Sequence, residues 1–279
     1  VSTSEGARRL ARANAAELAG RACPDAEPDP LGLLTDLFTW LFAFDDNCDD
    51  DGLGADPARL SPVVARLLDV LDPLGGTAPA ELLAAAGPTG RALHDLCRRV
   101  REQGQPSLLL RFAGQVRAYL LALLWEAANR KVRRVPAVAE YVQMRRHTGG
   151  VYPSFTLTDI AYDCLPTPDR LADPELSAMD ALAVDLVCWC NDLFSYDKER
   201  RLGPDGHNLT VAIARETGQD EGSALAEAAS RFNAGLEAYV RLEGTVLASQ
   251  DPAVARFAAA RRCWIRGTYD WSMRASRYQ

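Results

Sequence analysis

Directly after Phe44 the chain gathers carboxylates: Asp45, Asp46, Asn47, Cys48, Asp49, Asp50 and Asp51. On a helix, residues four apart share a face, so Asp45 pairs with Asp49 and Asp46 with Asp50. Like charges at that spacing repel. Local stability therefore argues against the pattern, and a multivalent cation would resolve it. Oxygen donors with no His or thiolate pair beside them suit a hard ion, Mg²⁺ or Mn²⁺. Two other readings compete. One is a solvated acidic helix end. The other is a calcium loop, with Asn47, Asp49, Asp51 and Gly52 at its first, third, fifth and sixth positions. The twelfth is then Ala58, where a bidentate glutamate belongs. The apolar run before Asp45 favours a buried site over a surface one.

Residues 191–199, NDLFSYDKE, form a second candidate. Asn191, Ser195 and Glu199 recur every fourth residue and drift only about 80° around a helix. One face then carries an amide oxygen, a hydroxyl and a carboxylate, all hard ligands. Lys198 adjoins them and could meet a phosphate as a point charge. Asp192 points elsewhere and could accept from a basic neighbour. The competing reading is an ordinary polar helix end.

The elements that must position these groups are helical. Ala, Leu, Arg and Glu dominate, and these are strong helix formers. Helices are expected near 7–22, 32–50, 57–72, 78–103, 105–131, 136–148, 151–162, 173–198, 207–217, 220–248 and 251–275. Pro or Gly marks the breaks, including Pro28 and Pro30, Pro73, Pro106, Pro136 and Pro252. No run alternates long enough for a convincing strand. The expectation is one all-α domain of about ten helices over residues 1–279. Leu31–Phe44 and Ala178–Phe194 are apolar on more than one face, so they belong inside a bundle. Both end in the polar clusters.

Composition excludes other classes. A net charge of -7 argues against a nucleic-acid binder. No stretch approaches about 18 uninterrupted apolar residues, the length of a membrane span. The first twenty residues lack the apolar core of a signal peptide, so a cytoplasmic location is expected. Seven dispersed cysteines without a CxxC pair read as reduced, buried thiols.

Together these motifs resemble those of bacterial class I terpene synthases. Asp45, Asp46, Asn47, Cys48 and Asp49 stand as a DDxxD-type motif. Asn191, Asp192, Ser195 and Glu199 stand as NDxxSxxxE, about 140 residues later, with Lys198 before the glutamate. The resemblance runs from about residue 30 to the end. It implies an α-helical bundle of the class I terpenoid synthase type. It implies Mg²⁺-dependent ionisation and cyclisation of a linear prenyl diphosphate, with farnesyl diphosphate ahead of geranylgeranyl diphosphate. Three Mg²⁺ ions are implied, or Mn²⁺ in their place. Asp45, Asp46 and Asp49 would hold two of them, and Asn191, Ser195 and Glu199 the third.

Further positions follow from the same resemblance. The diphosphate-sensing arginine falls on Arg145, the linker on Thr148 (often Asp in the family) and the helix-break effector on Gly149. The terminal Arg-Tyr pair falls on Arg277 and Tyr278. These, with Lys198, would donate to the diphosphate. Phe38, Phe42, Tyr152, Phe155, Trp189 and Trp271 are candidates for a π-rich pocket, because aromatic faces stabilise cations by about 0.5–2 kcal/mol. Each could equally be core. The resemblance also allows a homodimer. The rivals are a prenyl-elongating enzyme, which would carry a second aspartate-rich motif, and a non-catalytic helical metal-binding protein. A class II cyclase would need a DxDD acid, and the sequence has none.

Overall fold

A computed structural model describes residues 4–49, 52–202 and 206–278. Among them thirteen α-helices follow one another: α1 (Ser4–Ala13), α2 (Ala15–Ala22), α3 (Pro28–Asp49), α4 (Pro57–Leu71), α5 (Ala80–Glu102), α6 (Pro106–Val132), α7 (Val138–Thr148), α8 (Val151–Tyr162), α9 (Pro168–Leu171), α10 (Pro174–Leu202), α11 (Leu209–Thr217), α12 (Glu221–Leu247) and α13 (Pro252–Ser272). No strand occurs among the described residues. This is the all-α class expected from composition.

The helix boundaries have local causes. Proline stands at the first position of α4, α6, α9 and α13, where its missing N–H would have no partner anyway. Asp56, Asn208, Asp220 and Asp251 accept from backbone N–H groups at the starts of α4, α11, α12 and α13. Pro28 and Pro30, expected as a break, instead lie in the first turn of α3, which tolerates them. The expected helix 7–22 is two. Asn14 takes the left-handed conformation (φ 47°) between α1 and α2, and its amide bonds Glu17 at 2.8 Å. The expected helix 78–103 bends at Gly87 (φ 66°, ψ -162°), ahead of Pro88. The short α9 was not anticipated.

One apolar core runs from Ala15 to Ala275 and draws on most of the helices. α3 packs on α2, α5 and α8, while α10 packs chiefly on α12 and α13. Leu37, Leu60, Phe112, Phe155 and Phe257 are wholly inaccessible. Burying side chains of this size contributes about 1.5–3 kcal/mol each. Trp40 stacks on Phe44 (5.5 Å between centroids, 17°) and donates to the Thr89 carbonyl at 3.0 Å, which braces α3 just before its acids. By length and composition α6 could cross a membrane. Half of its most apolar stretch is nonetheless buried inside the bundle, as in a core helix.

Away from the acidic clusters, α8, α10 and α13 are locked by a buried charge. Arg261 is fully inaccessible. Its guanidinium meets Asp159 at 2.6 and 3.1 Å and Asp180 at 2.6 Å, between the faces of Phe155 and Phe257. Such a charge persists because each guanidinium nitrogen meets a carboxylate.

Candidate active site

The C-terminal turn of α3 presents the first acids. Asp45 is half-exposed, Asp46 is 5% exposed, and Asp49 faces solvent. Each already has a basic partner. Arg277 reaches Asp45 at 3.1 Å and Asp46 at 2.9 Å. Arg130 of α6 reaches Asp49 at 2.8 Å. The expected repulsion among these acids is thus balanced by guanidinium groups from distant parts of the chain. Asp50 and Asp51 lie outside the described residues.

The second cluster projects from α10. The Asn191 amide oxygen accepts from Arg145 Nη2 at 2.8 Å, and its NH₂ donates to the Tyr278 hydroxyl at 2.7 Å. Asp192, one residue on, is buried and meets the same guanidinium from the interior side. It accepts from Arg145 Nε at 3.0 Å, the Tyr141 hydroxyl at 2.6 Å and the Leu209 N–H at 3.3 Å. Arg145 is therefore the basic neighbour that the sequence left unnamed. Ser195 is buried beside Glu199, and the Glu199 carboxylate accepts from Asn208 Nδ2 at 2.9 Å. Burial pushes the Glu199 carboxyl above its usual range, and the Ser195 hydrogen bond pulls it partly back. Lys198 is half-buried and has no ion pair among the described residues.

Between these clusters the chain breaks. α7 ends at Thr148, Gly149 and Gly150 follow, and α8 starts at Val151. Gly150 has φ 66°, the left-handed region that favours glycine. The Thr148 hydroxyl is buried without a hydrogen-bond partner. A carboxylate linker would have added a polar tie here, and Thr148 makes none.

The structure divides the six aromatic candidates. Phe42 and Trp271 stack at 5.8 Å and 16°. Arg277 lies 5.0 Å over Phe42, and Trp271 meets Tyr278 edge-on at 5.6 Å. These two aromatics adjoin the charged groups. Phe38 and Phe155 both pack edge-on against Trp264, and Phe155 also lies under Arg261. Tyr152 is half-buried beside His147. Trp189 packs toward α12, where a Cβ on Gly235 would come within 3.1 Å of its ring. Two residues along a helix turn a side chain by about 200°, so Trp189 lies nearly opposite Asn191.

Several partners escaped the sequence reading. Tyr141 and Asn208 hold Asp192 and Glu199, and Arg130 holds Asp49. Asn208 carried one signal, its position as the N-cap before LTVAI. Tyr141 and Arg130 carried none, because only tertiary packing brings them near.

The donors on the two clusters are carboxylate, amide and hydroxyl oxygens, a set that fits a hard divalent cation better than a soft one. Among the described residues, no three His, Cys, Asp or Glu side chains form a metal-holding group. Asn191 and Ser195 lie outside that set of residue types, and the acids of the first cluster are turned to Arg277 and Arg130. A cavity of about 290 Å³, lined by Arg111, Leu171, Leu176, Ser177 and Asp180, lies elsewhere. Asp180 precedes Asn191 by 11 residues on the same helix, roughly 16 Å.

Comparison with known proteins decides the family. Residues 36–238 match the model of terpene synthase family 2, C-terminal metal binding. The chain belongs to the terpene synthase family. The 4-epi-cubebol synthase of Streptosporangium roseum, named as farnesyl diphosphate cyclizing, is 32% identical over 99% of this chain and 81% of its own length. The (+)-T-muurolol synthase of Roseiflexus castenholzii, named likewise, is 34% identical over 94% and 79%. In fold, germacradien-4-ol synthase from Streptomyces citricolor superposes with a TM-score of 0.80 at 24% identity, covering 98% of this chain and 86% of that one. In this terpene synthase, then, the matched region spans both oxygen clusters and the segment around Arg145.

Proposed function

We propose that this terpene synthase ionises a linear prenyl diphosphate, cyclises the resulting cation and releases diphosphate, with farnesyl diphosphate as substrate and a sesquiterpene as product. One observation carries the reading. A single run of polar contacts links Asp45 and Asp46 through Arg277 to its neighbour Tyr278, and on to Asn191, Arg145 and Asp192. Asp45, Asp46 and Asn191 thus meet the candidate anion donors Arg145, Arg277 and Tyr278 in one place. The relatives named farnesyl diphosphate cyclizing support the fifteen-carbon substrate. Residues 1–279 act as one catalytic domain in this reading.

Asp45, Asp46 and Asp49 on one side, and Asn191, Ser195 and Glu199 on the other, would hold the divalent metal, read as three Mg²⁺ ions. Bound there, the metal would stabilise charge developing on the leaving diphosphate. Arg145, Lys198, Arg277 and the Tyr278 hydroxyl would donate to the same oxygens. Asp192 fixes Arg145 from the interior, whereas Arg277 would exchange Asp45 and Asp46 for the diphosphate as those carboxylates take up the metal. Thr148 and Gly149 place the helix break beside the cluster. Phe42 and Trp271 offer π faces to an allylic cation, and Tyr278 with Trp271 shields it from water. Phe38, Phe155 and Tyr152 lie lower in the same core, where they would shape the cavity floor. Trp189 serves the α10–α12 contact.

The test is incubation with Mg²⁺ and, separately, all-trans prenyl diphosphates of ten, fifteen, twenty and twenty-five carbons, followed by gas chromatography with mass spectrometry. A cyclic fifteen-carbon hydrocarbon or alcohol is expected. A cyclic twenty-carbon product would correct the substrate. Longer prenyl diphosphates, formed only with added isopentenyl diphosphate, would overturn the reading in favour of elongation.

A further inference from the structure

The break between α7 and α8 is gripped from two sides. Gly149 has ordinary right-handed backbone (φ -73°, ψ -9°), so its conformation does not require glycine. Space does: a Cβ there would fall 2.6 Å from Cys188 Sγ. On the other side, a Cβ on Gly150 would fall 3.0 Å from both δ-carbons of Leu41. The Cys188 thiol also donates to the Arg145 carbonyl at 3.6 Å, an oxygen that accepts the Gly149 N–H at 3.0 Å. Cys188 is 2% exposed. It precedes Asn191 by three residues on α10, and Leu41 precedes Asp45 by four on α3. The break is therefore seated about one helical turn below each oxygen cluster.

We propose that Cys188 is a positioning residue for the cyclisation: its thiol sets how closely the helix break approaches α10, and so shapes the cavity wall that selects the product. The inference rests on the function proposed above. Its physical basis is that Gly149 and Cys188 share one small volume. A close-packed interior has no slack to absorb an added atom there, so a change on one side moves the other. Removing the sulfur lets the break settle toward α10. Replacing Cys188 with valine adds a second γ-carbon and pushes the break toward α3. Either shift moves the Gly149–Gly150 backbone relative to the bound chain without touching a metal-holding side chain.

The experiment compares wild type, C188A, C188V, G149A and the double variant G149A/C188A in product profile, kcat/KM and melting temperature. C188A and C188V should remain folded by circular dichroism and redistribute products, because cation cyclisation is decided by cavity shape. G149A alone should lose about tenfold or more in kcat/KM, since its new methyl collides with Sγ. G149A/C188A should regain most of that loss, because the methyl then occupies the space the sulfur has left. A double variant no better than G149A would overturn the proposal. So would an unchanged product profile in both C188A and C188V. If wild type makes no cyclic product, the functional reading fails instead. The cycle is then read in melting temperature, where additive effects of the two substitutions would refute the shared-volume contact.

Discussion

Replacing Asp192 with asparagine tests whether Arg145 is held in place or merely present. Asp192 is 1% exposed and receives Arg145 Nε at 3.0 Å, the Tyr141 hydroxyl at 2.6 Å and the Leu209 N–H at 3.3 Å. All three neighbours are donors, so an asparagine NH₂ has to face at least one of them. Arg145 is left with a buried charge lacking its counter-ion. Breaking a buried pair in this way costs about 3–5 kcal/mol. Against a total stability of about 5–15 kcal/mol, the protein stays folded at 25 °C but loses much of its margin. At about 2–4 °C per kcal/mol for a large domain, 3 kcal/mol lowers the melting temperature by about 6–12 °C. Turnover should fall further than stability explains, by about a hundredfold, if about 2.7 kcal/mol of that energy aims Arg145 in the transition state. The control is Asp185→Asn. Asp185 is 4% exposed and holds Arg146 at 2.7 Å through both oxygens, one residue from Arg145. It should lower the melting temperature comparably yet cost less than about tenfold in kcat. Calorimetry and steady-state diphosphate release measure both quantities. Equal losses of activity in the two variants would refute the positioning role and reduce Asp192 to a structural ion pair.

Three other outcomes are expected. Asn191→Ala or Asp45→Ala abolishes product formation by gas chromatography while far-UV circular dichroism stays unchanged, and residual turnover in either would undo the metal assignment. Chelation with EDTA stops turnover and excess Mg²⁺ restores it; a rate indifferent to chelation would remove divalent metal from the chemistry. Phe42→Ala alters the product profile more than the melting temperature, because its ring is half-buried against Trp271 and under Arg277. An unchanged profile would return Phe42 to plain packing.

How much of this was legible in the sequence follows from where each cause lies. Helical periodicity and helix-forming composition placed the long helices, since those signals are local. The split at Asn14 was hidden, because a left-handed asparagine leaves no mark comparable to Gly or Pro. The oxygen clusters were legible because the spacing of their polar residues is the helical repeat itself. Asp192 was half-legible: its type allowed a basic partner, but Arg145, which it shares with Asn191, and Tyr141 come from another helix. Trp189 and Phe42 looked equivalent as aromatics near polar motifs. They differ only in which neighbour fills the space beside them, Gly235 on α12 or Trp271 on α13, and that is a tertiary fact.

The same distinction explains why the site is assembled from the ends of the chain. α3 finds its partners in α2, α5 and α8, and α10 in α12 and α13, so each cluster is fixed by its own neighbourhood. What joins them is small. Arg277 and Tyr278, adjacent on the short turn Ser276–Tyr278, tie Asp45 and Asp46 to Asn191. Below them Gly149 and Gly150 fit between Cys188 and Leu41. The two glycines are the residues that let α3 and α10 approach the break this closely, and the Arg-Tyr pair is long enough to span from one cluster to the other. Their positions are explained by the close approach and the bridging contacts they allow.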